Sequence, residues 1–188
     1  MPGQIRVFIA SSLDGFIAGT DGDLSWLPPF QPGQDYGYAE HMAETAAILM
    51  GRASYDAVQG FDGPWPYGDT PVYVATNRPL GELPADALRE VDGEQVPSVK
   101  AVSGEPVDLI AAVQAEIGDG GIYVDGGALI RSVLDAGLVD ELVVTLIPVI
   151  LGAGLPLFAG AARRHELELV HAEAYDDGLV QVRYEVKF

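Results

Sequence analysis

The stretch VDGGALIRSVLDAGLVDELVV, residues 124–144, restricts the fold more than any other part of the chain. An apolar run, GIYV at 121–124, stops at Asp125 and two glycines. Apolar residues then recur at helical spacing through GALIRSVLDAG, and ELVVTLIPVI opens a second apolar run. Strand, tight corner, helix and strand in that order predict a parallel pair, because parallel strands need a crossover, usually a helix.

The same order repeats along the chain. IRVFIA (5–10), AILM before Gly51-Arg52, PVYVAT (71–76) and VKAV (99–102) predict buried strands. Helical composition covers residues 35–47, with Asp35 near the first turn as a cap or dipole partner, and also ASYDAV and PVDLIAAVQAEI. Residues 11–34 and 61–69 are turn-rich loops, and 80–98 is expected to hold a weak strand and loop. At the C-terminus two alternating runs flank Asp177-Gly178, a hairpin signal. The expectation is one domain over 1–188: α/β, three layers, a mostly parallel central sheet and an antiparallel C-terminal hairpin.

Charge narrows the function. Twenty-eight acidic residues against ten basic ones leave a net charge of −18, which repels phosphate backbones and anionic lipid. Neither a nucleic-acid nor a membrane partner is expected. The absence of cysteine removes disulfides and thiolate metal sites, and the three histidines have no zinc spacing. Residues 142–158 are uncharged but short of a spanning helix and interrupted by proline and glycine. The N-terminus lacks a signal-peptide pattern, so a cytoplasmic protein is expected.

Ligands of open α/β sheets sit at the carboxyl ends of the strands. Those corners are Ser11–Gly15, Gly51-Arg52, Thr76-Asn77-Arg78 and Asp125-Gly126-Gly127. Glycine lets a phosphate approach the backbone at a helix N-terminus, although a Gly-Gly pair serves a tight turn equally well. Arg52 and Arg78 suit a phosphorylated cofactor through the planar guanidinium fork, or salt bridges to the many carboxylates. Asp125 would repel phosphate; unless it caps the next helix, it suits a neutral donor group of a substrate.

Five segments in order, SLDGFIAG (12–19), SWL (25–27), ILMGRASYDAV (48–58), VYVATNRP (72–79) and VDGGALIRSVLDAGLVDEL (124–142), resemble the dihydrofolate reductase superfold. With VDELVVTLIPVILGAGLPLF (139–158), the chain is most similar to the branch of the RibD C-terminal domain, the reductase of riboflavin biosynthesis. The resemblance implies NADPH as cofactor. It assigns Gly51 and Arg52 near the cofactor phosphates and Thr76, Asn77 and Arg78 to the adenosine ribose and 2′-phosphate. It assigns Gly126, Gly127, Ala128 and Leu129 to the pyrophosphate, and Ala10 and Ile17 to the nicotinamide pocket. Asp125 then addresses a small-molecule substrate: a riboflavin precursor, a pterin or a related heterocycle or carbonyl. The fused zinc deaminase usual in riboflavin reductases has no counterpart in this sequence. The helix at 35–47 offers no arginine for a substrate phosphate.

Hydride transfer needs positioning, exclusion of water and a proton. Residues 11–34 are the expected lid, with Trp26 as an apolar cover or as core packing and Asp14 as a turn former that shapes the lid. Asp125, Asp35 and Tyr55 are the candidate proton donors. The resemblance also implies a homodimer, with VVTLIPVIL as a segment able to pair with a second copy. A non-catalytic nucleotide-binding or dimeric binding module on the same fold is the alternative.

Overall fold

The computed structural model describes residues 3–28 and 34–187. One eight-stranded sheet organises them. Its parallel part comprises β1 (Ile5–Ser12), β3 (Thr45–Gly51), β4 (Val72–Ala75), β7 (Val99–Val102), β8 (Gly121–Asp125) and β9 (Glu141–Ile147). β11 (Glu166–Ala174) and β12 (Val180–Lys187) add the antiparallel hairpin, giving the order β11-β12-β9-β1-β8-β3-β4-β7. Two short strands, β2 (Phe16–Ala18) and β10 (Leu155–Pro156), pair outside this sheet.

Helices cover both faces, because alternate strand residues point to opposite sides. Val7, Leu49, Ile122, Val124 and Leu142 pack beneath α3 (Pro106–Ile117) and α4 (Gly127–Asp135). Ile48, Met50, Val72, Val74 and Tyr123 face the other way, toward α1 (Tyr38–Ala43), α2 (Arg52–Gln59) and Trp65. Three layers and a mostly parallel sheet with an antiparallel hairpin are as expected.

Three segments differ from expectation. The helix of 35–47 ends at Ala43, and Thr45 already belongs to β3. Ala47 is fully buried between the neighbouring strands, so burial and ladder hydrogen bonds override the helical preference of its segment. Residues 80–98 contain a true hairpin, β5 (Leu88–Val91) and β6 (Glu94–Pro97). Its turn places Asp92 and Gly93 at φ 52° and 84°, the conformation that Asp-Gly favours. Finally, β9 lies between β1 and β12, so the strand part of VVTLIPVIL, up to Ile147, has no free edge for a second copy, whereas Ile150 in its turn is exposed.

Candidate active site at the strand ends

The Gly126-Gly127 corner is built by packing. Gly126 has φ +100°, and a Cβ there would lie 2.7 Å from the Ser54 hydroxyl oxygen. A Cβ on Gly127 would meet the Pro156 carbonyl oxygen at 2.8 Å and Ile17 Cδ1 at 3.0 Å, because β2 and β10 cross the start of α4. Neither position accepts a side chain. As in any helix, the first N–H groups of α4, those of Gly127, Ala128 and Leu129, have no intrahelical acceptor and carry the positive end of the dipole.

Asp125 ends β8 immediately before this corner. Burial raises its carboxyl pKa above the ordinary aspartate value, against hydrogen bonds from Ser54 and the Gly126 N–H that pull it down. Its charge reaches three phenols: Tyr38 on α1, Tyr67 from the 61–69 loop, and Tyr123 two residues earlier on β8. Burial also pushes each of these phenols above the usual tyrosine value, so all three stay neutral at physiological pH. Tyr123 donates to the Phe8 carbonyl at 2.9 Å, and Phe8 packs against Tyr38 with ring centroids 5.7 Å apart. Beneath them the buried His41 ring lies 4.9 Å from Phe8 and 4.7 Å from Tyr123. One acid, three neutral phenols and aromatic faces therefore converge on the side of the sheet that Ala10 shares with Phe8.

A cleft of about 260 Å³ opens on the opposite side of the strand ends. Thr76, Asn77, Glu105 and Leu129 are among its lining residues, so two expected cofactor segments share one space. The Thr76 hydroxyl accepts the Arg78 N–H at 3.0 Å, which shapes the turn after β4. The Arg78 guanidinium makes no ion pair among the described residues. Arg52 takes up the salt-bridge alternative: its Nε donates to Asp56 at 2.7 Å and its Nη1 to the Pro79 carbonyl at 2.9 Å. In this structure it links α2 to the loop after β4.

The remaining expected residues separate clearly. Asp14 accepts from the Ser12 hydroxyl (2.7 Å) and from the N–H groups of Leu151 (3.1 Å) and Gly152 (2.7 Å). These bonds hold its pKa below the ordinary value and tie the 12–16 turn to the turn after β9. Trp26 is outside the core; its half-buried indole donates to the Asp23 carbonyl at 3.1 Å. The stretch 29–33 of the expected lid lies outside the described residues. Asp35 caps α1, accepting the N–H groups of Gly37 (3.1 Å) and Ala39 (2.8 Å), which depress its pKa. An exposed carboxylate so stabilised makes a poor proton donor. Tyr55 is fully buried beneath α2 against Trp65, where no substrate reaches its hydroxyl. Sequence reasoning did not single out Ser54, Tyr38, Tyr67, Tyr123 or Glu105. The period-two spacing of Tyr123 and Asp125 was the available signal for one of them.

This sheet, its crossover helices and its glycine corner define a dihydrofolate reductase-like α/β fold. The chain belongs to the RibD C-terminal domain family, which matches residues 4–181. A Shewanella sp. PV-4 protein, provisionally named a riboflavin biosynthesis protein, is similar in structure with a TM-score of 0.83. The two are 36% identical, with 98% of this chain and 99% of that one covered. The diaminohydroxyphosphoribosylaminopyrimidine deaminase/5-amino-6-(5-phosphoribosylamino)uracil reductase of Thermotoga maritima shares the fold, with a TM-score of 0.69 at 18% identity. That similarity covers 99% of this chain and 57% of the bifunctional enzyme. The uncharacterized protein YwjB of Bacillus subtilis (strain 168) is 31% identical over 179 residues, 95% of each chain. Family and neighbours together support a reductase-like role. No helix among the described residues is long and apolar enough to cross a membrane.

Proposed function

We propose that this protein is an NADPH-dependent reductase that delivers a hydride to a small heterocyclic or carbonyl substrate lying against Asp125. The observation that carries the proposal is the carboxyl of Asp125, raised in pKa and beside neutral phenols, one residue before a helix N-terminus. The chain's residues fit the cofactor: open N–H groups begin α4, a cleft holds Thr76, Asn77 and Leu129, and Arg78, next in the chain after Asn77, makes no ion pair among the described residues. When bound, NADPH would supply the hydride, and a C=N or C=O group that accepts it takes up one proton to complete the reduction.

Asp125 holds that proton at its carboxyl, which burial keeps protonated to a higher pH than usual. Ser54 and the Gly126 N–H fix the orientation of the carboxyl. Tyr38 and Phe8 offer ring faces, and Tyr67 and Tyr123 exclude water around the acid. Ile17, lying over Gly127, closes the corner from the side of β2. Replacing Asp125 with Asn tests the assignment: NADPH consumption falls by about 10²–10⁴-fold while NADPH affinity is retained. Lost affinity with unchanged turnover contradicts it.

The same proposal includes a homodimer. One face of the β11–β12 hairpin carries Leu167, Leu169, Ala172, Val180 and Tyr184, whereas Glu166, Glu168, Glu173 and Glu185 point to the other. Leu167, Leu169 and Val180 remain 40%, 55% and 37% exposed. The −18 charge opposes association of two copies, and this face carries no carboxylate to add to that repulsion.

A further inference from the structure

We infer that the substrate at Asp125 is an unphosphorylated ring system bearing N–H donors, neutral or cationic, rather than a phosphate ester. The inference rests on the proposal that Asp125 faces substrate. A phosphate group needs cations or a cluster of open N–H groups to replace its water. All ten Lys and Arg residues fall among the described residues, so the supply can be counted.

Seven of the ten already hold a carboxylate or a backbone carbonyl. On the strand-end side these include Arg52, bonded to Asp56 and Pro79, and Arg131, bonded to the carbonyls of Pro156 and Leu157. Of the other three, Arg89 lies on β5 near Tyr73 and Glu116, and Arg163 sits beside Asp135 at the far end of α4. Only Arg78 remains at the strand ends, following Thr76 and Asn77, which line the cleft on the α3–α4 side of the sheet.

On the Asp125 side of the sheet the cations are already engaged: Arg6 with Glu44, Arg52 with Asp56 and Pro79, and Arg183 with Glu141 at 3.8 Å. What that side has is one carboxyl, which accepts hydrogen bonds when ionised, and phenols, which donate and accept. The aromatic rings of Phe8 and Tyr38 add flat surface suited to stacking. Ring N–H or amino groups match the carboxyl oxygens; a phosphate there would lie beside an acid and neutral phenols with no cation to pair it. This chain thus departs from the Thermotoga maritima enzyme, whose name specifies a phosphoribosylamino substrate.

The test uses one compound in two forms. 5-Amino-6-(5-phosphoribosylamino)uracil and the product of its dephosphorylation are titrated against the protein, with and without NADPH. Quenching of Trp65, which packs 5.3 Å from Tyr67, serves as the readout alongside calorimetry. The dephosphorylated form is expected to bind tighter by about tenfold or more, since a charged group left without a partner keeps its full desolvation cost. Equal or tighter binding of the phosphate form overturns the inference, and so does failure of both forms to bind. The titration without NADPH keeps this result separate from any failure of cofactor binding.

Discussion

His41 makes the packing beneath the candidate site testable by pH alone. It lies on α1 with 5% of its surface exposed, its ring between Phe8 and Tyr123 and its Nε2 without a hydrogen-bond partner. Burial, reinforced by the nearby Arg6 guanidinium, lowers its pKa from 6.5 to about 4. The unfolded chain therefore binds a proton that the native state refuses between these values. Stability from this group is full above pH 6.5 and is lost as pH falls toward about 4. A difference of about 2.5 units at 1.36 kcal/mol per unit is worth about 3 kcal/mol. Urea unfolding followed by tryptophan fluorescence, at several pH values from about 7 to about 4, measures it in the wild type and in His41→Phe. Carboxylates titrate in both proteins, and any overpacking by phenylalanine is independent of pH, so the difference between the two curves isolates the imidazole. The wild type should lose about 3 kcal/mol more than the variant over this range. A pH-dependent difference below about 1 kcal/mol would refute the reasoning, because it would mean that the site hydrates or opens at little cost.

Asp125→Asn should also stabilise the fold at alkaline and neutral pH. The raised native pKa means that wild-type stability falls as pH rises through it, so the gain should shrink toward acid pH, and a pH-independent gain would point to repacking instead. Gly126→Ala should lose about 2–4 kcal/mol from its φ of +100° and the contact with Ser54, and adding Ser54→Ala should restore only the contact part. Full rescue by the second change, seen in urea unfolding, would show that the backbone is unstrained. Leu169→Glu should yield a monomer mass by light scattering if the hairpin face joins two copies; an unchanged dimer places the interface elsewhere.

The sheet was legible because its strands are short apolar runs separated by helical periodicity, as in GIYV, GALIRSVLDAG and ELVVTLIPVI. The end of α1 was not, since ETAA favours a helix until the neighbouring strands claim it. The β5–β6 hairpin escaped notice although Asp92-Gly93 announced its turn. At the site, glycines and charged residues at strand ends stand out in a sequence, while the partners that occupy a side chain do not. Asp56, four residues on, signals an ion-pair partner for Arg52, but nothing in the sequence shows its bond to Pro79, 27 residues away. Tyr55 likewise looks available until the helix register turns it into the core. Tyr38, Tyr67 and Asp125 meet only because α1, a loop and β8 fold over one another.

Equilibrium titration with NADPH and NADH, followed by nicotinamide fluorescence, for the wild type and Arg78→Ala, tests the assignment of this protein as an NADPH-dependent reductase most directly. Saturable binding that favours NADPH is expected, and the variant should lose about tenfold or more for NADPH with little change for NADH, because only NADPH carries the 2′-phosphate. Glu105 lines the same cleft and suits a ribose hydroxyl, so the preference depends on Arg78. Absence of binding by either nucleotide would contradict the reductase assignment at its root.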